Sequence, residues 1–146
     1  MVERTQVFVI DASVAVKWYV DEEDRDRALK VRSDYVDGKI DLASPALIVY
    51  EVFNALRYHP GLSPDDVARC SDSFLDMQMD LRLPSEENNR RAADLAFKEG
   101  ISGYDAHYIA LAQTIETRLI TSDAKLREKL SHETRSSLKM LQEYNR

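Results

Sequence analysis

Two rhythms of apolar residues run along this chain. Short apolar runs rich in β-branched side chains read as strands buried on both faces. The clearest is Val7–Ile10, inside "VFVIDASVAVKW"; shorter strands are predicted at Asp41–Ala43, Leu81–Leu83, Leu119–Thr121 and Leu138–Leu141. Between them, apolar residues recur at helical spacing. Residues 21–36 open with acids and turn basic, which suits a helix dipole. Acid-to-base pairs four apart, Asp21–Arg25, Glu23–Arg27 and Asp26–Lys30, give that helix a solvated face. Ser63-Pro64-Asp65-Asp66 reads as a helix start: a cap, a proline at the first helical position, and an acid three residues after the cap. Val67, Cys70, Phe74 and Met77 then share one face. Ser85 is expected to cap a further helix that turns Ala92, Leu95 and Ala96 inward and stops at Gly100. Strands alternating with helices predict an α/β layer fold with a mostly parallel sheet, whose ligands sit at the carboxyl ends of the strands.

Composition narrows the class. The chain has 146 residues, 44% apolar and 32% charged, which suits one domain, 1–146, with a sizeable core. No segment approaches the roughly 20 apolar residues of a membrane span, and Val7–Ile10 is too short for a signal h-region. The single cysteine, Cys70, makes no internal disulfide and fits a reducing, cytoplasmic setting. There is no CxxC or HxxxH pattern for zinc. A net charge of −6 argues against non-specific duplex binding by the whole surface, while leaving room for a local basic rim.

Four carboxylates stand where apolar patterning does not want them. Asp11 ends the first strand directly, as a helix cap or as a ligand at the sheet's carboxyl edge. Ser13 is a competing cap that would free Asp11. Asp123, in "RLITSDAKL", repeats the arrangement. Glu51, in "SPALIVYEVFNAL", has Leu47, Ile48 and Ala55 as its helical neighbours, so as an ionised acid it needs something positive or hydrogen-bonding to meet it, with a salt bridge to an arginine or lysine as the plain structural reading. Asp105, in "ISGYDAHYIALA", points with Ile101, Tyr108 and Ile109, or closes a capping box with Ser102. Each structural reading is comfortable alone; one divalent cation would satisfy all four acids together. An oxygen-only set selects Mg2+ or Mn2+.

In this order, "VIDASVAVKW", "LASPALIVYEVFNAL", "GISGYDAHYIALA" and "LITSDAKL" resemble the PIN-domain ribonucleases, most closely VapC-type toxins of prokaryotic toxin–antitoxin pairs. The resemblance covers nearly the whole chain. It implies a three-layer α/β/α sandwich around a mostly parallel sheet of four to five strands. It also implies a Mg2+- or Mn2+-dependent endoribonuclease acting on RNA. The family's acids map onto Asp11, Glu51, Asp105 and Asp123 as catalytic and metal-holding residues, with Thr121 and Ser13 in support. A homodimer and a small silencing antitoxin are implied in the same way.

Around the acids, Lys17, Lys125, Arg127 and Lys129 are the bases nearest in sequence for RNA contact. Trp18 and Tyr104 are candidates for base stacking, though helix packing is the plainer role for both. His107 stands on a different helical face from Asp105, and His59 and His132 read as surface or loop residues. The alternative function is a catalytically silent PIN-type module that binds RNA or protein. A phospho-accepting domain would want a second acid beside Asp11, and an aspartate phosphatase an Asp-x-Asp pair; residue 13 is Ser.

Overall fold

A computed structural model of the chain describes residues 5–145. Five strands form one sheet: β1 (Gln6–Ile10), β2 (Ile40–Pro45), β3 (Asp80–Arg82), β4 (Leu119–Thr121) and β5 (Leu138–Met140). Eight α-helices accompany them among the described residues: α1 (Ala12–Ala15), α2 (Arg25–Val36), α3 (Leu47–Arg57), α4 (Pro64–Asp76), α5 (Glu86–Glu99), α6 (Gly103–Thr114), α7 (Ala124–Lys129) and α8 (His132–Arg135).

The strand order is β3-β2-β1-β4-β5, and every neighbouring pair is parallel. Phe8, Val9 and Ile10 are all buried, as are all three residues of β4, so the centre of the sheet is covered on both faces. The chain moves one way from β1 to β3 and the other way from β3 to β5. Right-handed crossovers therefore assign α2, α3 and α4 to one face and α5 to α8 to the other, the α/β sandwich expected. The reversal of direction lies between β1 and β4, and the crevice at their carboxyl ends is the natural ligand position of such a sheet.

Helix α6 packs against β1, β2 and β4. Ala106 and the whole run Tyr108–Ala112 are buried, so the helix is apolar nearly all round, as a helix enclosed by other elements must be. Helix α4 starts as its sequence foretells. Asp66 N donates to Ser63 Oγ at 3.1 Å, and Ser63 N donates back to Asp66 Oδ2 at 2.9 Å. Val67 and Phe74 are buried, with Cys70 and Met77 packed beside them. Ser85 caps α5, and Gly100 ends it in the left-handed region with φ of +66°.

The acidic opening at 21–24 stays outside the helix, which begins only at Arg25. Asp24 sits in the left-handed region (φ 64°), a conformation aspartate tolerates better than most residues. The three acid-to-base pairs foreseen for this helix are replaced by longer reaches. Arg25 Nε donates to Lys17 O at 3.1 Å and Arg27 Nη1 to Tyr144 O at 2.9 Å; Lys30 instead pairs four residues on within α2, its Nζ donating to Asp34 Oδ1 at 2.9 Å. For Arg25 and Arg27, acceptors outside α2 take the place of solvated helix pairs and tie the helix to the rest of the protein. Among the described residues no helix is long and apolar enough to cross a membrane.

Candidate active site

The parallel register of β1 and β4 builds the centre of the site. Val9 faces Leu119 and Ile10 faces Ile120, so the next residues along the two strands are Asp11 and Thr121. They emerge side by side at the switch point. Thr121 Oγ1 donates to Asp11 Oδ2 at 2.5 Å, while Ser13 N and Ser13 Oγ donate to Asp11 Oδ1 at 3.1 Å and 2.5 Å. Asp11 is thus itself the cap of α1; Ser13 does not replace it but points its hydroxyl at it. Each hydroxyl also accepts one bond. Ser122 N donates to Ser13 Oγ at 3.0 Å and Asp123 N to Thr121 Oγ1 at 3.1 Å. The turn after β1 is stitched to the turn after β4, and both carboxyl oxygens of Asp11 are fixed in direction.

Asp123 follows β4 as foreseen and caps α7, its Oδ1 accepting from Leu126 N at 3.0 Å. Asp105 lies in the first turn of α6. Its backbone N–H donates to Ser102 Oγ at 3.0 Å, so the forward half of the capping box forms. Glu51, on α3, meets no arginine or lysine among the described residues. Its Oε1 accepts from the Tyr108 hydroxyl at 2.5 Å. Tyr108 was read from the sequence only as an apolar neighbour of Asp105; the phenol on an otherwise hydrophobic face was the signal.

The electrostatics tie these groups together. Burial is the main force on Asp11, which is 8% exposed, and pushes its carboxyl up to about 6; the Ser13 and Thr121 bonds oppose this, and the fields of Asp123 and Asp105 add to it. Burial also raises Asp105, with the Asp123 charge next, against smaller opposing effects of Ser102 and Lys129. Tyr108 is pushed far up by burial, by its bond to the Glu51 carboxylate, and by the charges of Glu51, Asp11 and Asp105. The repulsion expected among the acids is present, but loss of water is the larger effect. Among the described residues none of the four acids forms an ion pair.

The donor chemistry fits a hard divalent cation: oxygen ligands only, excess negative charge, and a core carboxyl reluctant to ionise alone. The spacing is open. No group of three or more His, Cys, Asp or Glu side chains among the described residues stands close enough together to hold a metal ion. Such a site suits an ion that keeps several of its waters and takes only one or two direct carboxylates.

The surroundings divide the remaining candidates. Lys17 is not a free surface base. Its side chain is 8% exposed and pairs with Glu22 at 3.4 Å. Trp18 is buried and donates Nε1 to Ala28 O at 2.8 Å, so it packs rather than stacks on a ligand. Tyr104 is the reverse: it is 63% exposed beside Asp105. Lys125, Arg127 and Lys129 are exposed along α7, next to Asp123, and His132 is exposed on α8. His107 is half-buried and lines an apolar cavity with Tyr104.

Known proteins resemble the chain throughout this region. The family model described as PIN domain matches residues 8–129. The chain is 34% identical over 125 residues to Ribonuclease VapC3 of Pyrobaculum aerophilum, across 83% of this chain and 92% of that protein. VapBC2 of Rickettsia felis, solved bound to a DNA fragment from its promoter, superposes with a TM-score of 0.64 at 13% identity, covering 92% of this chain and 98% of that one. A toxin–antitoxin complex from Klebsiella pneumoniae superposes with a TM-score of 0.60 at 16% identity, covering 81% and 88%.

Proposed function

This chain belongs to the PIN-domain family, and from that premise we propose that it is a divalent-metal-dependent endoribonuclease, the toxin of a toxin–antitoxin pair. The observation that carries the reading is Asp11. A carboxyl is buried at the switch point of a parallel sheet, in the fields of Asp105 and Asp123, with no cation paired to it among the described residues.

Asp11, Glu51, Asp105 and Asp123 are assigned to the cation and its waters. A bound Mg2+ or Mn2+ supplies positive charge at the scissile phosphate and makes a water more acidic. The protein's own residues do the positioning. Thr121 and Ser13 hold the two oxygens of Asp11 in fixed directions, and Tyr108 holds Glu51 by its hydroxyl. A nearby positive charge lowers the Asp11 carboxyl from its raised value, so the residue is ionised when it is needed. Lys125, Arg127 and Lys129 supply phosphate contacts along α7, and the Lys129 charge already reaches Asp105. The VapBC neighbours support a small antitoxin as partner, and a homodimer belongs to the same reading.

A catalytically silent RNA- or protein-binding module is the second reading. The openness of the acid cluster favours it. The test is RNA incubated with Mn2+ or with EDTA, using wild type and Asp105→Asn, with the product ends sequenced. Internal cleavage that disappears in EDTA and in the variant is the expected result. RNA bound but never cut by wild type selects the silent module.

A further inference from the structure

A cavity of about 200 Å3 opens beside the acids, between the β2–α3 turn, the β3–α5 turn and α6. Its walls are mostly apolar, with Pro45, Leu47, Pro84 and Leu111 among them, and Arg82, paired with Asp80 at 2.9 Å, also lines it. Tyr104 stands at its border and also lines the adjoining groove that contains Glu51, so the acid edge and the cavity share one aromatic side chain. Tyr104 is the residue before Asp105 and is 63% exposed.

Two polar groups face this space with donors to spare. Asn88 has its carbonyl oxygen engaged by Thr114 Oγ1 at 2.7 Å, which leaves its side-chain NH2 without an acceptor among the described residues. His107 is half-buried and makes no side-chain hydrogen bond among them. An apolar slot with an aromatic lip and unspent donors is suited to a flat ring that carries carbonyl oxygens. Apolar cavities of about 150 Å3 hold a benzene ring, so this one has room for a single-ring base.

We propose that this cavity binds an unstacked pyrimidine base of the RNA strand, uracil before cytosine or adenine, and so sets which nucleotide lies beside the scissile phosphate. Tyr104 stacks on the base while Asn88 and His107 donate to its carbonyl oxygens, the mode by which proteins read single-stranded RNA. The proposal rests on the ribonuclease reading for its biological meaning, but its physical content is a binding preference.

The test is equilibrium binding, in EDTA, of dye-labelled single-stranded RNA octamers: oligo(U), oligo(A) and an abasic ribose–phosphate chain. The three carry the same backbone charge, so differences report the base. Oligo(U) is expected to bind about tenfold more tightly than the abasic chain, the size of one base–aromatic stack, and more tightly than oligo(A). Ala46→Phe, which fills the cavity, should bring all three affinities within about twofold, whereas the pair Asn88→Ala/His107→Ala, which leaves the Tyr104 stack, should bring oligo(U) within about twofold of oligo(A). Circular dichroism identifies any variant that has lost its fold. Equal wild-type affinity for oligo(U) and the abasic chain overturns the proposal, and is the result if the cavity takes a side chain of a protein partner instead. A preference for oligo(U) over oligo(A) that survives in both folded variants also overturns it. Cleavage of the same octamers in Mn2+ is read separately. Preference without cutting sinks the nuclease reading alone; cutting without preference sinks the base site alone.

Discussion

Two regions of this protein bury aspartate, and they treat it in opposite ways. Asp34, on α2, is 0% exposed, yet it is held by Lys30 at 2.9 Å and by the Tyr144 hydroxyl at 2.6 Å. Burial pushes its carboxyl up, but those two partners prevail and leave it below the usual range. Asp11 receives hydroxyl and amide donors but, among the described residues, no cation, and burial prevails there. Loss of water is common to both places; the counter-charge is what differs. A buried acid with its own lysine is fixed structure. A buried acid without one stores a cost that a cation can relieve, which is the condition a metal-dependent site requires.

The sharpest way to break the comparison is to neutralise each acid in turn. Asp11→Asn should lower RNA cleavage by on the order of a hundredfold to a thousandfold while the protein stays folded, since asparagine also caps helices. Asp34→Asn should leave cleavage by the folded protein intact and cost about 2 kcal/mol of stability, because it weakens the Lys30 pair and disturbs the Tyr144 bond. Cleavage assays beside thermal melts read both. Full activity in Asp11→Asn would dissolve the distinction between the two regions.

The pH dependence should separate them next. The folded value of Asp11, about 6, lies above the ordinary 3.8, so the stability it contributes is present below about pH 4 and lost as pH rises through 6. The loss amounts to about 3 kcal/mol in the metal-free protein. Asp34 and Glu99 are depressed: their contributions are present above their unfolded values and lost as pH falls. Metal-free Asp11→Asn should therefore melt higher than wild type at pH 8 and converge with it near pH 4. Parallel melting curves across that range would show that Asp11 carries no stored cost.

The two acids were unequally legible in the sequence. Asp11 could be singled out because its cause is local: a strand ends, a helix begins, and the acid stands between them. Asp123 follows the same logic after β4. Asp34 had a local partner in Lys30, four residues before it, but its burial and its bond to Tyr144, 110 residues away along the chain, left no local mark. Glu99 likewise waits for Ser131, 32 residues on, whose N–H and hydroxyl reach it at 3.1 Å and 2.7 Å. The same limit hid the Tyr108 partner of Glu51 and the burial of Lys17. Strands were legible within a residue or two because short apolar runs between turn signals are a local property of the chain. The start of α2 was not, because Arg25 is drawn to carbonyls of the preceding turn rather than to helix-face acids.

A cation should act on one region and not the other. With Mg2+ or Mn2+ at about a hundredfold above its dissociation constant, wild type should gain about 2.7 kcal/mol, seen as a higher melting temperature at pH 7.5. Asp34→Asn should gain as much and Asp11→Asn much less. No shift in wild type with millimolar metal would remove the shared-site assignment of the four acids.

The finest test leaves both acids in place and alters only a donor. The Thr121 hydroxyl is one of the two bonds that keep Asp11 from rising further, and it also accepts from Asp123 N. Thr121→Val keeps the shape of the side chain but removes both bonds, at a cost of about 1 kcal/mol. The fall in stability should still begin near the unfolded value but run on to a higher pH and go deeper, because the ionised form of Asp11 has lost a donor while burial is unchanged. Thr121→Ser should restore the wild-type curve. Melting temperature against pH for the three proteins, without metal, measures the displacement. If Thr121→Val lowers stability equally at every pH, the hydroxyl packs the turn without tuning the carboxyl, and the positioning role assigned to it at the site is wrong.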